Sequence, residues 1–274
     1  MKALNKLTNK NNEGKFVCVG LDTDIEKIPR HLLHEENPVV EFNKQIIEST
    51  IDHAAAYKIN FAFYEKDGEV GLKNLAKTLE LIPSDILTIA DAKRGDIGNT
   101  SQMYAKEVFD YYKFDSITIN PYMGEDSAAP FISYKEKLIF ILALTSNKGA
   151  SDFEKLKFED GTYLFQKVID KSLEWNVNNN CGLVFGATQL DELKENILRT
   201  SNMPLLIPGV GAQGGRFEDI VALINTIPNK NYIINISRGI IYKSSEKDFA
   251  TKAREEIINY NNISEIVLNN KKNM

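Results

Sequence analysis

The chain has 274 residues, of which 43% are hydrophobic, and a formal net charge of −5 at pH 7. This length can bury one large core, and because no linker rich in Pro, Gly or Ser divides the chain, we predict a single domain over residues 1–274. The acidic balance excludes a general nucleic-acid binder, which needs an excess of Lys and Arg. No apolar run reaches the roughly 20 residues that span a bilayer, so we expect no membrane partner.

Apolar strand candidates recur at fairly even intervals, separated by segments long enough for a helix. The predicted strands are Phe16–Leu21, Ala55–Phe61, Ile86–Ala90, Ser116–Asn120, Leu138–Leu144, Gly182–Ala187, Pro204–Pro208 and Tyr232–Ile236. The predicted helices are Pro38–Ile51, Glu69–Ile82, Ser101–Tyr112, Gly161–Trp175, Asp191–Arg199, Phe217–Asn225 and Glu246–Tyr260. This alternation predicts an α/β fold of the (β/α)8 TIM-barrel type, whose strands are apolar on both faces. A doubly wound open sheet is the alternative.

The ends of the chain carry weaker signals. The polar segment 1–15 lacks the apolar stretch of a signal peptide, which predicts a cytoplasmic location. Residues 1–15 and 261–274 are rich in Asn and Lys and are predicted to be solvated, frayed termini. Cys18 and Cys181 have no metal-ligand spacing and adjoin apolar strands, so we expect buried free thiols.

The most informative stretch is Thr88–Thr100, which opens as a strand and then places Asp91, Lys93 and Asp96 within six residues. Residues two apart on a strand face the same side, so Asp91 and Lys93 can project into one pocket. The simpler interpretation is a surface ion pair, but such pairs stabilise a protein by only about 0–1 kcal/mol. Stability alone therefore does not explain the motif.

In a TIM barrel, the active site lies at the carboxyl ends of the strands. Lys58 and Asn60 stand inside an otherwise apolar strand. A buried lysine needs a partner anion, and Asp91 on the adjacent strand is the obvious candidate. The polar residues at the predicted strand ends are Asp22, Lys58, Asn60, Asp91, Lys93, Asn120, Thr145, Ser146, Thr188, Ser237 and Arg238.

The last two predicted strands are followed by Pro208–Gly215 and Ser237–Gly239. Loops at these positions frequently bind phosphate in TIM barrels, where glycine N–H groups approach the oxygens and an arginine adds a forked contact. The segment Gly209-x-Gly211-x-x-Gly214 also fits a dinucleotide fingerprint, but that motif belongs in an early βαβ unit. Glycines that serve only turns are the remaining alternative.

Taken together, the ordered motifs resemble the orotidine 5′-phosphate decarboxylase family, in particular its longer bacterial type (type 2), whose central motif reads D-x-K-R-G-D-I. The D-x-K-x-x-D pattern alone is shared with phosphosugar barrels, whereas the ordered set is specific. The resemblance runs from about Phe16 to Tyr242. The motifs that carry it are Gly20–Asp22, Tyr57–Lys58, Asp91–Thr100, Thr145–Asn147, Pro208–Gly215 and Ser237–Gly239.

This resemblance implies a homodimer of barrels with active sites at the subunit interface. It implies conversion of orotidine monophosphate to uridine monophosphate and CO2 in pyrimidine biosynthesis, without a metal or organic cofactor. The small-molecule substrate would be bound by residues carried over from the family. Lys58, Asp91, Lys93 and Asp96 would form a charged tetrad, with Asp96 and Thr100 reaching the neighbouring subunit's site; Asp22 and Lys58 would bind the ribose, Ser146 the pyrimidine, and Gln213, Arg238, Gly211 and Gly214 the phosphate. The role of Asn120 stays open.

The chemistry implied for Lys93 is proton donation to C6 of the pyrimidine, while Asp91 faces the substrate carboxylate. Two rival functions remain. One is a phosphosugar lyase that holds Mg²⁺ near Asp91 and Lys93, although such a site would need further carboxylates at neighbouring strand ends. The other is a catalytically silent protein that binds a phosphorylated ligand.

Overall fold

Eight parallel strands close into a barrel in the computed structural model, which describes residues 1–200, 203–211, 214–226 and 231–270. Each strand pairs with the next, and β8 pairs with β1. The predicted single-domain (β/α)8 TIM barrel is therefore confirmed. The strands are β1 (Val17–Gly20), β2 (Ala56–Asn60), β3 (Leu87–Arg94), β4 (Ser116–Ile119), β5 (Leu138–Leu144), β6 (Cys181–Phe185), β7 (Leu205–Pro208) and β8 (Tyr232–Ile236).

Helices surround this barrel and fill most of the connections between strands. The longer helices are α1 (Ala3–Asn12), α2 (Pro38–Thr50), α4 (Gly68–Glu80), α5 (Gly98–Lys106), α6 (Glu125–Ile132), α7 (Leu164–Trp175), α8 (Leu190–Asn196), α9 (Phe217–Ile224) and α11 (Phe249–Asn270). Single turns form α3 (Ala62–Glu65) and α10 (Arg238–Ile241). A π-helical turn, Glu107–Tyr111, continues α5. No helix in the described part of the chain has the length and apolar character needed to cross a bilayer.

The core has two layers that follow the alternation of side chains along each strand. On β8, Ile234 packs outward against the helices, whereas Ile233 packs inside the barrel. The inner layer also contains Ala56 of β2 and Ile89 of β3. By the same alternation, Lys58 and Asp91 face the interior of the barrel.

The N-terminal segment differs from the expectation of a solvated, frayed terminus. Residues 3–12 form α1, and Ala3 and Leu7 pack into the inner core of the barrel. Lys6 donates to the Asp115 carboxylate at 2.7 Å, and Asp115 in turn accepts from Thr88 at the start of the barrel. The expectation was wrong because α1 covers the amino-terminal end of the barrel. The helix buries both apolar and polar side chains there.

The C-terminal boundary also differs, since α11 continues through Asn270 instead of ending near residue 260. Residues 271–274 lie outside the described part. Both Cys18 and Cys181 are buried and free, as predicted. Burial raises the pKa of the Cys181 thiol to about 12, which leaves it a poor nucleophile near neutral pH.

Candidate active site

A cavity of about 480 Å³ opens at the carboxyl ends of the strands. Its floor is apolar, because Leu142, Val184 and Leu206 face the interior of the barrel from β5, β6 and β7. Its walls are polar. The lining residues from the walls are Asp22, Lys58, Asn60, Asp91, Lys93, Thr118, Thr145, Ser146, Asn147, Glu154, Asn235, Ser237, Arg238 and Gly239, with Pro208–Val210 from the end of β7.

Two lysines share one carboxylate at the centre of this cavity. Lys58 donates to Asp91 Oδ2 at 2.8 Å, and Lys93 donates to Asp91 Oδ1 at 2.6 Å. Lys58 also reaches Asp22 Oδ1 at 3.4 Å. Residues Lys58 and Asp91 are 3% and 8% exposed, whereas half of the Lys93 side chain faces the cavity opening. The structure thus places Lys93 as the accessible member of a buried ionic chain.

Burial and charge act in opposite directions on these groups. Burial alone would raise the pKa of Asp91, but the ammonium groups of Lys58 and Lys93 outweigh it and hold that pKa well below its usual range. Burial alone would lower the pKa of Lys58, but Asp22 and Asp91 outweigh it and raise that pKa. Asp91 therefore stays an anion and Lys58 stays a cation throughout the neutral pH range.

The backbone at Lys93 is unusual. Its φ is +47°, a left-handed conformation that costs a non-glycine residue about 1–3 kcal/mol. The pairing between β3 and β4 shifts register here, since Ala90 pairs with Ile117 and Arg94 with Ile119. The alternation of side chains therefore predicted the correct pocket for Lys93. It did not predict the left-handed backbone, because the residue lies on a β-bulge.

Arg94 anchors the far end of this bulge. Its guanidinium lies over the rings of Phe61 and Tyr104 at 5.3 and 5.0 Å and pairs with Glu65 and Glu107. Its carbonyl accepts from the Asn120 N–H at 2.8 Å. The strand end that carries Lys93 is therefore fixed from outside the cavity.

Ser146 lines the cavity just past β5, as predicted. A Cβ atom at Gly186 would lie 2.6 Å from the Ser146 nitrogen, so only glycine allows the segment after β6 to approach this closely. The Ser146 carbonyl also accepts from the Thr188 hydroxyl at 3.0 Å. Gly186 and Thr188, which both follow β6, thus fix the position of Ser146.

The two loops predicted to bind phosphate, after β7 and β8, are only partly arranged as expected. Arg238 lines the cavity at the start of α10, and no ion pair within the described residues uses it. Gly211 and Gly214 do not line the cavity; their N–H groups donate within the loop, to the carbonyls of Gly215 and Gly211. In this conformation the turn itself uses these two amides, and their contact with a phosphate stays a prediction. Gln213 lies outside the described residues.

Asp96 and Thr100 do not line the cavity of their own chain. Asp96 Oδ1 accepts from the Ile97 N–H at 2.8 Å, and Thr100 is exposed on α5. Within the described residues, no ion pair joins Asp96 to Lys93. Asn120, whose role was open, also lies outside the cavity, and its side chain accepts from the Tyr122 N–H. One copy of the chain therefore brings together three members of the predicted tetrad, not four.

Sequence reasoning missed three residues in the cavity wall: Thr118, Glu154 and Asn235. Thr118 and Asn235 are 2% and 7% exposed and stand within apolar strands. The argument that singled out Lys58, a polar residue inside an apolar strand, would have found both. Glu154 comes from the loop after β5, where its carboxylate accepts from the Thr145 N–H at 2.7 Å, and no local signal marks it.

Comparison with known proteins gives a consistent result. Residues 15–253 match the sequence profile described as the Orotidine 5′-phosphate decarboxylase / HUMPS family. An orotidine 5′-phosphate decarboxylase of Porphyromonas gingivalis is 49% identical over 244 residues, covering 88% of each chain. One of Dehalococcoides mccartyi is 47% identical, covering 93% of this chain and 94% of its own. The solved OMP decarboxylase of Leishmania donovani has a TM-score of 0.82 and 34% identity, covering 97% of this chain and all of that one.

Proposed function

The chain belongs to the orotidine 5′-phosphate decarboxylase / HUMPS family, and on that premise we propose that it decarboxylates orotidine 5′-monophosphate with Lys93 as proton donor. The product would be uridine 5′-monophosphate, and the reaction would serve pyrimidine biosynthesis. The observation that carries the proposal is the pair of lysines on Asp91, with one buried and one exposed to the cavity.

The reaction breaks the bond between C6 and the carboxylate carbon. CO2 leaves, the electron pair remains on C6, and the Lys93 ammonium gives up a proton to form the C6–H bond. The neutral amine then takes a proton from water. Negative charge develops on C6 in the transition state, beside the fixed Lys93 ammonium. Lys93 would therefore stabilise the transition state before it donates the proton.

Asp91 would act through its charge. It is held ionised next to Lys93, so a substrate carboxylate at that position meets a second anion. Two unit charges about 4 Å apart repel by about 4 kcal/mol at an effective dielectric constant near 20. This repulsion disappears as neutral CO2 forms, which favours bond cleavage over substrate release once the phosphate is held.

The remaining cavity residues would bind the nucleotide. Asp22, which Lys58 contacts, would accept from ribose hydroxyls, and Ser146 would contact the pyrimidine over the apolar floor. Arg238 would pair with the phosphate. By the same family resemblance, Gln213 would also contact the phosphate. Binding energy at the phosphate would hold the ring against Lys93.

A second copy would complete the site. Asp96 and Thr100 do not line the cavity of their own chain. Apolar side chains beside them are exposed, including Ile97 at 59% and Met103 at 47%. Tyr122 is 80% exposed in the loop after β4, which lies against the loop after β3. We propose that this surface joins two barrels, so that Asp96 of each copy approaches Lys93 of the other.

No cofactor is included in this proposal. Decarboxylation without an electron sink requires fixed charges, and Lys58, Asp91 and Lys93 supply them. Both oxygens of Asp91 already accept from ammonium groups, and Oδ1 also accepts from Thr118. Asp91 would therefore be a poor ligand for the Mg²⁺ of the rival lyase, because a metal would have to displace these donors.

The direct test follows the absorbance of orotidine 5′-monophosphate during incubation with the purified protein, with and without EDTA. We expect complete conversion to uridine 5′-monophosphate and an EDTA-resistant rate. Binding without conversion would contradict the decarboxylase proposal and favour the silent binding protein. A rate that EDTA abolishes and Mg²⁺ restores would contradict the cofactor-free mechanism.

A further inference from the structure

Thr118 joins the two charged residues that the proposed reaction uses most directly. Its hydroxyl donates to Asp91 Oδ1 at 3.0 Å and accepts from the Lys93 backbone N–H at 3.1 Å. A hydroxyl has one hydrogen to donate, and an ionised carboxylate can only accept, so these directions are fixed. One side chain thus holds both the Asp91 carboxylate and the Lys93 main chain.

The position of Thr118 in the sheet explains why a side chain is needed there. Between the pairs Ala90–Ile117 and Arg94–Ile119, β3 has three residues and β4 has only Thr118. The regular ladder cannot satisfy the amides of such a bulge, and a buried N–H without a partner is costly. The Thr118 hydroxyl takes the place of the missing ladder carbonyl for Lys93.

The contact also bears on the conformation of Lys93. Its left-handed φ of +47° is held where the Thr118 hydroxyl fixes the amide on one side and the Arg94–Asn120 ladder bond fixes the chain on the other. Without the Thr118 hydroxyl, the Lys93 N–H loses its hydrogen-bond acceptor, and the strained backbone of Lys93 can relax. Relaxation would move the Lys93 ammonium relative to Asp91 and to a bound pyrimidine.

We propose that Thr118 is a positioning residue for decarboxylation, which sets the Lys93 ammonium against C6 by holding the Lys93 amide and the Asp91 carboxylate together. Thr118 is 2% exposed and acts through its neighbours. This inference rests on the proposed function of Lys93. It predicts that loss of the hydroxyl lowers the rate of the chemical step more than it weakens nucleotide binding.

The test compares Thr118→Val, which keeps the shape but removes the hydroxyl, with Thr118→Ser, which keeps the hydroxyl. For Thr118→Val we expect kcat to fall by roughly 10- to 100-fold, with KM within about 3-fold of wild type, since small misplacements of reacting groups have effects of this size. Thr118→Ser should retain kcat within about 3-fold, because it can make both hydrogen bonds.

The matched control is Ser116→Ala on the same strand. Ser116 has the same orientation as Thr118 by strand alternation and is fully buried, but its hydroxyl donates to the Thr88 carbonyl and does not line the cavity. Its loss removes a buried hydroxyl without touching Asp91 or Lys93. The kcat of Ser116→Ala, per folded site, should therefore stay within about 2-fold of wild type.

Titration with uridine 5′-monophosphate in a calorimeter gives the fraction of binding-competent sites, so kcat is expressed per competent site. If Thr118→Val does not fold, Thr118→Ala provides the same comparison. Equal kcat values for the Val and Ser variants, or a raised KM with unchanged kcat, would overturn the positioning role. If wild-type protein binds the product but does not decarboxylate the substrate, the proposed function fails instead, and the two failures are distinguishable.

Discussion

At the scale of single residues, the charges proposed to react and the charge proposed to bind phosphate lie on different elements of the cavity wall. Lys93 and Asp91 form the proposed reacting pair on β3, whereas Arg238 stands at the start of α10 after β8. Arg238 is exposed, and no ion pair of the described residues neutralises it. A cation of this kind is suited to an anionic ligand group, because no ion pair of the described residues has to be broken on binding.

Substitution of Arg238 tests this separation. We expect Arg238→Ala to raise KM for orotidine 5′-monophosphate by roughly 10- to 100-fold, since a forked arginine–phosphate contact contributes about 1.5–3 kcal/mol. The kcat value at saturation should change less than KM, because Arg238 does not contact Asp91 or Lys93. Initial rates over a range of substrate concentrations measure both constants. An unchanged KM would remove Arg238 from phosphate binding.

The lowered pKa of Asp91 makes a second prediction, for stability. Unfolded Asp takes up a proton near pH 4, whereas folded Asp91 stays ionised at that pH. Its contribution to stability is therefore complete above about pH 4 and is lost as pH falls further, with a slope of up to about 1.4 kcal/mol per pH unit. Urea unfolding of wild type between pH 5 and pH 2.5 should show this extra slope.

Asp91→Asn should flatten that part of the profile, although it lowers stability at every pH because Lys58 loses a partner. Glu36→Gln, which changes an exposed carboxylate before α2, serves as the control and should keep the wild-type slope. Parallel profiles for wild type and Asp91→Asn would show that Asp91 is not the group that titrates.

At the scale of the elements, much of the barrel could be predicted, because its strands are apolar on both faces and evenly spaced. The predicted bounds of β5 and β8 agree with the structure to the residue. α6 was missed because Pro130 inside it is a helix breaker in sequence terms. The bulge at Lys93 could not be predicted, since it depends on how β3 pairs with β4 and on no local pattern.

The helix α1 was not predicted, because its composition hides the apolar residues that pack against the barrel. Its Asn- and Lys-rich sequence suggested a solvated end, yet Leu7 is fully buried against the inner core. The exposed positions are Asn5, Asn9 and Asn12, while Ala3 and Leu7 carry the apolar packing. Two apolar residues four apart on one face are too short a signal to identify an amphipathic helix from the sequence.

Leu7→Ala tests whether α1 is part of the folded core. We expect the free energy of unfolding to fall by about 2–5 kcal/mol, the usual cost of truncating a buried leucine. Asn5→Ala on the exposed face of α1 is the control and should change it by less than about 0.5 kcal/mol. Chemical denaturation followed by circular dichroism measures both. Equal stability of Leu7→Ala and wild type would mean that α1 frays in solution.

At the scale of the whole molecule, one copy of the chain leaves the predicted tetrad incomplete. Asp96 makes no ion pair with Lys93 in the described part of its own chain, and the loop that carries it is flanked by exposed Ile97, Met103 and Tyr122. The proposed two-fold assembly accounts for both features. The position of Asp96 relative to a second cavity could not be derived from one sequence, because it depends on how two surfaces meet.

Mixing of two inactive variants tests this arrangement. Lys93→Ala and Asp96→Ala, each expected to be inactive alone, are co-expressed with different affinity tags. In a two-fold dimer with Asp96 acting in the partner's site, each hybrid has one intact site, so statistical mixing restores about a quarter of wild-type activity. Purified hybrids without activity would place Asp96 in its own chain's site, and a monomer in solution would contradict the assembly.

The central claim is that the Lys93 ammonium carries the decarboxylation, and its most direct test is the turnover of orotidine 5′-monophosphate by Lys93→Ala. Lys77→Ala, which changes an exposed lysine on α4 outside the cavity, is the control and should keep the wild-type rate. We predict that Lys93→Ala lowers kcat/KM by at least about 10⁴-fold, since it removes both charge stabilisation and the proton donor, while the thermal midpoint stays near that of wild type. A folded Lys93→Ala protein that retains most of the wild-type rate would contradict the claim.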